Sequence, residues 1–126
     1  MNLVWRLATG LVGLVNVALG LIFLIHPAEI APQFFLEPLG TQGLASLRSD
    51  YSALFLTGGL FALLGAWRAD PAPLRIPLVL LVIAFAGRTL SLVVDGVAPT
   101  AWPPFALEAL MVLLLALGAA AFARRA

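Results

Sequence analysis

The sequence predicts an all-α integral membrane protein, an antiparallel bundle of four transmembrane helices. Hydrophobic residues make up 63% of the 126 residues, and charged residues only 10%. Soluble domains contain about 45–50% apolar and about 25% charged residues, so a soluble fold of this chain could not cover its apolar surface. Four stretches are apolar for long enough to cross a bilayer core of about 30 Å, which takes about 20 helical residues. These observations exclude a soluble enzyme and a disordered chain.

Each of the four stretches is interrupted by only one or two charged or amide residues. Their continuous apolar character favours helices, because transmembrane strands alternate apolar and polar residues. Prolines such as Pro27, Pro71 and Pro103 stand near the boundaries, and a proline is tolerated where a helix starts. We expect the first span to be retained, because no small-residue cleavage site follows it. The predicted spans are about residues 3–25, 44–67, 76–95 and 103–122, within one domain of residues 1–126.

The arginines predict which side of the membrane each end of the chain faces. Four spans place both termini on the same side as the connection between the second and third spans. That side carries one acid, Asp70, and five arginines, namely Arg6, Arg68, Arg75, Arg124 and Arg125. Because positive residues are retained on the cytoplasmic side, both termini are predicted to be cytoplasmic.

The connection on the opposite side, residues 26–43, is too polar to cross the membrane and too apolar to be fully solvated. Its sequence is HPAEIAPQFFLEPLGTQG. Two interpretations are open: an interfacial segment that lies over the outer end of the bundle, or an ordinary ordered connector. In the first interpretation, Phe34 and Phe35 would cover the entrance to a site.

Charged residues inside the predicted spans are the main functional signal. At 1.5 Å per helical residue from the outer ends, Asp50 lies about 9 Å deep, Arg88 about 10 Å and Glu108 about 8 Å. An isolated charge near the bilayer centre costs about 2.5–3.5 kcal/mol, so these three groups should meet inside the bundle. We expect an outward-facing polar pocket centred on Arg88, flanked by Asp50 and Glu108. The other predicted lining residues are Asn16, Arg48, Tyr51 and Asp95.

Three functions are compatible with such a pocket. The first is binding of a hydrophobic or amphipathic small molecule or lipid. The second is an integral-membrane isomerase, cyclase or hydratase, in which Asp50 or Glu108 transfers a proton and Arg88 tunes it. The third is an accessory subunit of a larger membrane complex, or a homo-oligomer, with purely structural ion pairs.

Several chemistries have no basis in the residues present. Cysteine is absent and His26 is the single histidine, so we expect no metal site. No cofactor motif occurs in the sequence, and we expect no cofactor. The net charge of +1 provides no field that would attract nucleic acid, so the expected surroundings are the lipid bilayer and membrane partners.

Two short motifs carry a resemblance to a known family. An Arg-x-Asp-Tyr sequence opens the second span with Arg48, Asp50 and Tyr51, and Gly87 precedes Arg88 in the third. Together with the proline-rich outer connection and four spans, they resemble a bacterial family described as domain of unknown function 4345. More distantly, the chain is similar to the DoxX-like group of small four-helix membrane proteins. The resemblance covers nearly the whole chain and implies the four-span architecture, but it brings no activity.

Overall fold

The computed structural model describes residues 2–125, which form helices and helical turns with no β-strand among them. Four helices are long and apolar enough to cross a membrane. They are α1 (Asn2–Ile25), α2 (Gly40–Arg68), α3 (Pro71–Val94) and α4 (Trp102–Ala123). The prediction of an all-α bundle with four candidate membrane spans is confirmed.

Two helices begin earlier than the sequence predicted. Helix α2 starts at Gly40, because a short α-helix (Gly40–Ser46) continues through a π-helical turn (Leu47–Tyr51) into the main helix (Ser52–Arg68). Helix α3 starts at Pro71, because the Asp70 carboxylate accepts a hydrogen bond of 2.9 Å from the backbone N–H of Ala72. This is the ordinary N-cap arrangement, in which a proline at the first helical position loses no hydrogen bond.

The backbones of the antiparallel helices α1 and α2 come into direct contact, because glycines lie between them. A Cβ atom built on Gly59 would lie 2.6 Å from the backbone nitrogen of Val17. A Cβ built on Gly20 would lie 2.8 Å from the backbone nitrogen of Leu56. No larger side chain fits at these positions, and such small-residue seams are typical of helix packing in membranes.

Two arginines join the ends of the same helix pair. At the start of α1, Arg6 donates from Nε to the carbonyl of Ala66 (2.9 Å) and from Nη2 to that of Trp67 (2.8 Å). At the other end, Arg48 of α2 donates from Nη1 to the carbonyl of Leu24, at 2.5 Å. Each helix therefore supplies the cation that caps the C-terminal carbonyls of its neighbour, where positive charge is favoured.

Helices α3 and α4 complete a ring in which each helix contacts two others. Leu74 of α3 packs against Gly65 of α2, and Thr9 of α1 packs against Gly118 of α4. All four helices contribute to one buried apolar core, which consists of Val12, Ala62, Leu74, Met111, Leu115 and Phe122. In contrast, the buried residues of α3 are confined to its first seven positions, Leu74 and Pro77.

A second apolar cluster lies beneath the connection of residues 26–39. Phe23 of α1 is fully buried there and contacts the rings of Phe34, Tyr51 and Phe55, with centroids 5.1–5.6 Å apart. The connection therefore packs on α1 and α2 as an ordered segment. Phe35 instead points away, with 70% of its surface exposed, so Phe34 and Phe35 do not act together as a cover.

Replacing Gly59 by alanine should destabilise the bundle, because the new Cβ would force α1 and α2 apart. Overpacking of this kind costs about 1–3 kcal/mol. The matched control is Gly87→Ala in α3, where a Cβ would meet nothing within 4 Å. The control should be neutral or slightly stabilising, because alanine is the better helix former. Unfolding of the purified variants by dodecyl sulfate in mixed micelles measures both, and equal stabilities would contradict the close backbone contact.

Candidate functional site

Arg88 and Glu108 form an ion pair between the antiparallel helices α3 and α4. Nη2 of Arg88 donates to Oε1 of Glu108 at 2.8 Å. Aromatic rings flank the pair, because Phe85 lies three residues before Arg88 and Phe105 three residues before Glu108. These two rings contact each other with centroids 4.7 Å apart, and Trp102 packs edge-on against Phe105. Phe85 and Phe105 therefore lie on the same faces of α3 and α4 as the two charged residues.

The ion pair makes one of the two parallel hydrogen bonds that a bidentate arginine–carboxylate pair makes. Nε of Arg88 and Oε2 of Glu108 are both buried and have no hydrogen-bond partner within residues 2–125. A bidentate arginine–carboxylate pair would satisfy four atoms at once. The pair thus leaves one donor and one acceptor without a hydrogen-bond partner among the described residues. The arginine is the more accessible partner, with 39% of its side chain exposed compared with 14% for Glu108.

Asp50 does not join this pair, although the sequence predicted that it would flank Arg88. Asp50 lies in the π-helical turn of α2, and its Oδ1 atom accepts a hydrogen bond of 3.4 Å from the Ser49 hydroxyl. It lines an open groove of about 400 Å³ between α2 and α3, together with Ala53, Leu54, Thr57 and Leu80.

Helix geometry explains why Asp50 and Arg88 are apart. Leu80 faces α2 across the groove. Arg88 is eight residues further along α3, so it is rotated by about 80° from Leu80 and points towards α4. Equal depth in the bundle therefore did not place the two side chains on facing surfaces.

The other predicted site residues make separate local contacts. Asn16 is buried and donates to the Val12 carbonyl (2.8 Å) and to Sδ of Met111 (3.6 Å). Asp95, at the end of α3, accepts a hydrogen bond of 2.7 Å from Ser91. Arg48 caps α1, and Tyr51 belongs to the aromatic cluster around Phe23. The structure thus divides the single expected pocket into an ion pair on α3 and α4 and a groove at Asp50.

Sequence reasoning missed the aromatic rings beside the ion pair and the contribution of Leu80 to the groove. The rings could have been found, because residues three apart lie on the same face of a helix. The role of Leu80 depends on the packing of α2 against α3, for which a single aliphatic residue gives no sequence signal.

The arrangement can recognise a polar group that both accepts and donates a hydrogen bond. A hydroxyl, a carboxylic acid or a primary amide could accept from Nε of Arg88 and donate to Oε2 of Glu108. Within residues 2–125, no three histidine or acidic side chains come together as potential metal ligands.

The fold and the paired charges define a multi-pass α-helical membrane protein with a polar centre between two of its spans. The chain belongs to the family described as domain of unknown function (DUF4345), whose model matches residues 4–119. This match confirms the family suggested by the sequence motifs. No curated protein and no solved structure matches the chain.

Removing one partner of the ion pair should cost more stability than removing both. Arg88→Leu leaves the Glu108 carboxylate without its cation. We expect a loss of roughly 2–3 kcal/mol, below the about 3–5 kcal/mol of a fully buried pair because Arg88 is partly exposed. The double variant with Glu108→Leu should recover most of this loss. A double-mutant cycle on unfolding in mixed micelles measures the coupling, and additive losses would show that the two side chains do not interact.

Proposed function

We propose that this protein binds an amphipathic small molecule or lipid through Arg88 and Glu108, in the outer half of the bundle. The observation that carries the proposal is the single hydrogen bond of the pair, which leaves Nε of Arg88 and Oε2 of Glu108 buried and without a partner in residues 2–125. Leaving buried polar atoms unpaired is costly, about 1–3 kcal/mol for each group. A ligand that pairs with both atoms would remove this cost, which gives the site a driving force for binding.

The surroundings of the pair favour a ligand with an apolar body and one polar head. Phe85 and Phe105 supply aromatic surface beside the charges. Arg88 is the accessible partner, so the head group would approach from the arginine side. A hydroxyl, acid or amide head matches the free donor and acceptor, and the apolar part would remain among the helices and the lipid chains.

For the enzyme alternative, only one of the two candidate carboxylates, Glu108, lies at the ion pair. Glu108 is largely buried beside the Arg88 guanidinium, and it is the one carboxylate there that could exchange a proton with a bound substrate. Asp50 lies in a separate groove, so a mechanism that uses both carboxylates on one substrate has less support.

The accessory-subunit alternative draws on the exposed surface of α3. Within the described chain, no residue of α3 beyond Pro77 is buried. Another membrane subunit or a second copy of the chain would bury this surface.

The ligand proposal can be tested by native mass spectrometry of the protein extracted from its own membrane in mild detergent. We expect a stoichiometric compound that is not a bulk bilayer lipid, retained by the wild type and lost from Arg88→Gln. The matched control is Arg75→Gln, which removes an exposed arginine near the other end of α3 and should keep the compound.

Other outcomes of this experiment separate the alternatives. Bulk lipid alone, or equal occupancy in both variants, would overturn the ligand proposal. Copurification of a second membrane protein in place of a small molecule would also overturn it and favour an accessory subunit. A Glu108→Gln variant that retains a compound chemically different from that of the wild type would favour the enzyme.

We further propose that the protein lies in a bacterial inner membrane with both termini in the cytoplasm. The antiparallel bundle places its five-arginine end, which includes Arg68 and Arg75, at the termini and the α2–α3 turn.

Because positive charge is retained in the cytoplasm, green fluorescent protein fused to the C-terminus should fluoresce. Alkaline phosphatase fused after Gly96, in the α3–α4 connection, should be active. The reverse pattern would invert the proposed orientation.

A further inference from the structure

We infer that the groove at Asp50 is a second binding site, separate from the Arg88–Glu108 pair, and that it accepts a lipophilic organic cation. The groove encloses about 400 Å³ between α2 and α3, and it is open at the surface. Its lining combines one carboxylate and one hydroxyl with apolar side chains: Asp50, Thr57, Ala53, Leu54 and Leu80.

The negative charge of Asp50 is not neutralised by the protein. Within residues 2–125, Asp50 takes part in no ion pair. Arg48 is only two residues away, but its guanidinium donates to the Leu24 carbonyl at the end of α1. Arg88, the other arginine of the outer half, is paired with Glu108. Because no arginine of residues 2–125 forms an ion pair with this carboxylate, it can pair with a cation from outside the chain.

The groove is shaped for an elongated apolar body below the charged group. Ala53, Leu54 and Leu80 provide the apolar walls. Thr57 is seven residues beyond Asp50, so it lies about 10 Å further along the helix. Towards the inner end, Gly58 approaches Leu80, whose Cδ1 atom would be 3.4 Å from a Cβ on the glycine, and this contact closes the groove.

Asp50 is exposed, and Gly87 in the outer half of α3 follows Leu80 by seven residues, on the same face of the helix. A Cβ built on Gly87 would meet no atom within 4 Å. The π-helical turn at Leu47–Tyr51 also sets the angular position of Asp50, because it interrupts the regular α-helical spacing just before the main part of α2. The charged end of the groove is therefore accessible to a molecule that approaches along α3.

The chemistry of the groove selects one ligand class. A divalent metal ion needs several oxygen ligands, and the lining contributes a single carboxylate. Anions are repelled by Asp50, and a small hydrated cation would leave the apolar walls uncovered. An ammonium or phosphonium ion with bulky apolar substituents neutralises the carboxylate and fills the rest of the groove. Because this site uses α2 and α3, it does not depend on the proposed function of the pair on α3 and α4.

Tetraphenylphosphonium is a suitable probe for this inference, and its binding to the purified full chain in a maltoside detergent can be followed by isothermal titration calorimetry. We expect saturable binding at one site per chain. Asp50→Asn keeps the size of the side chain but removes the charge, and it should weaken binding about tenfold, equivalent to about 1.4 kcal/mol. Asp50 is exposed, so this variant should fold like the wild type.

Two further variants separate a shaped site from general attraction by negative charge. Ala53→Leu keeps Asp50 but fills the groove, and it should also weaken binding about tenfold. Glu37→Gln removes an exposed carboxylate from the outer connection and should leave the affinity unchanged. Wild-type affinity in Asp50→Asn or Ala53→Leu would overturn the inference. An equal loss in Glu37→Gln, or partition without saturation, would also overturn it.

Discussion

The contact between the backbones of α1 and α2 is the interaction on which the rest of the structure depends. Apolar side chains gain little by leaving lipid for protein, so helices in a membrane must be held by close packing and by polar contacts. This pair has both. Glycines such as Gly20 and Gly59 let the two backbones touch, and Arg6 and Arg48 bind the terminal carbonyls of the opposite helix. Helices α1 and α2 thus form a stable base for the bundle.

The second hairpin packs on this base through its inner half and at the bundle centre, where Asn16 donates to Sδ of Met111. Leu74 and Gly118 join α3 and α4 to the first pair near the cytoplasmic end proposed above, whereas the outer part of α3 is largely exposed. Consequently, the polar groups with unused hydrogen-bonding or charge capacity are found in the outer half. The Arg88–Glu108 pair lies between the two helices of the hairpin, and the Asp50 groove lies between the hairpin and its base. The tight packing is thus in the inner half of the bundle, and both candidate sites lie in the outer half.

The fold could be predicted because apolar length and proline positions determine the number of spans. The ion pair was also within reach, since Arg88 and Glu108 stand at one depth on successive antiparallel helices. Asp50 shares that depth but faces elsewhere, because the rotation of each helix depends on side-chain packing and on a π-helical turn that propensities do not reveal. Arg48 was wrongly expected in the pocket, because its partner is the backbone carbonyl of Leu24. Every residue has such a carbonyl, so the sequence does not indicate which one an arginine binds.

The reciprocal arginine caps also fix a length. Eighteen residues separate Arg6 from Leu24 on α1, and eighteen separate Arg48 from Ala66 on α2. At the rise of an α-helix, each interval is about 27 Å, close to the thickness of a bilayer hydrocarbon core. Neither helix can slide or tilt alone without breaking the caps at both faces. The pair would therefore meet a thicker or thinner bilayer as a rigid unit, and the surrounding lipid would have to adapt to the protein.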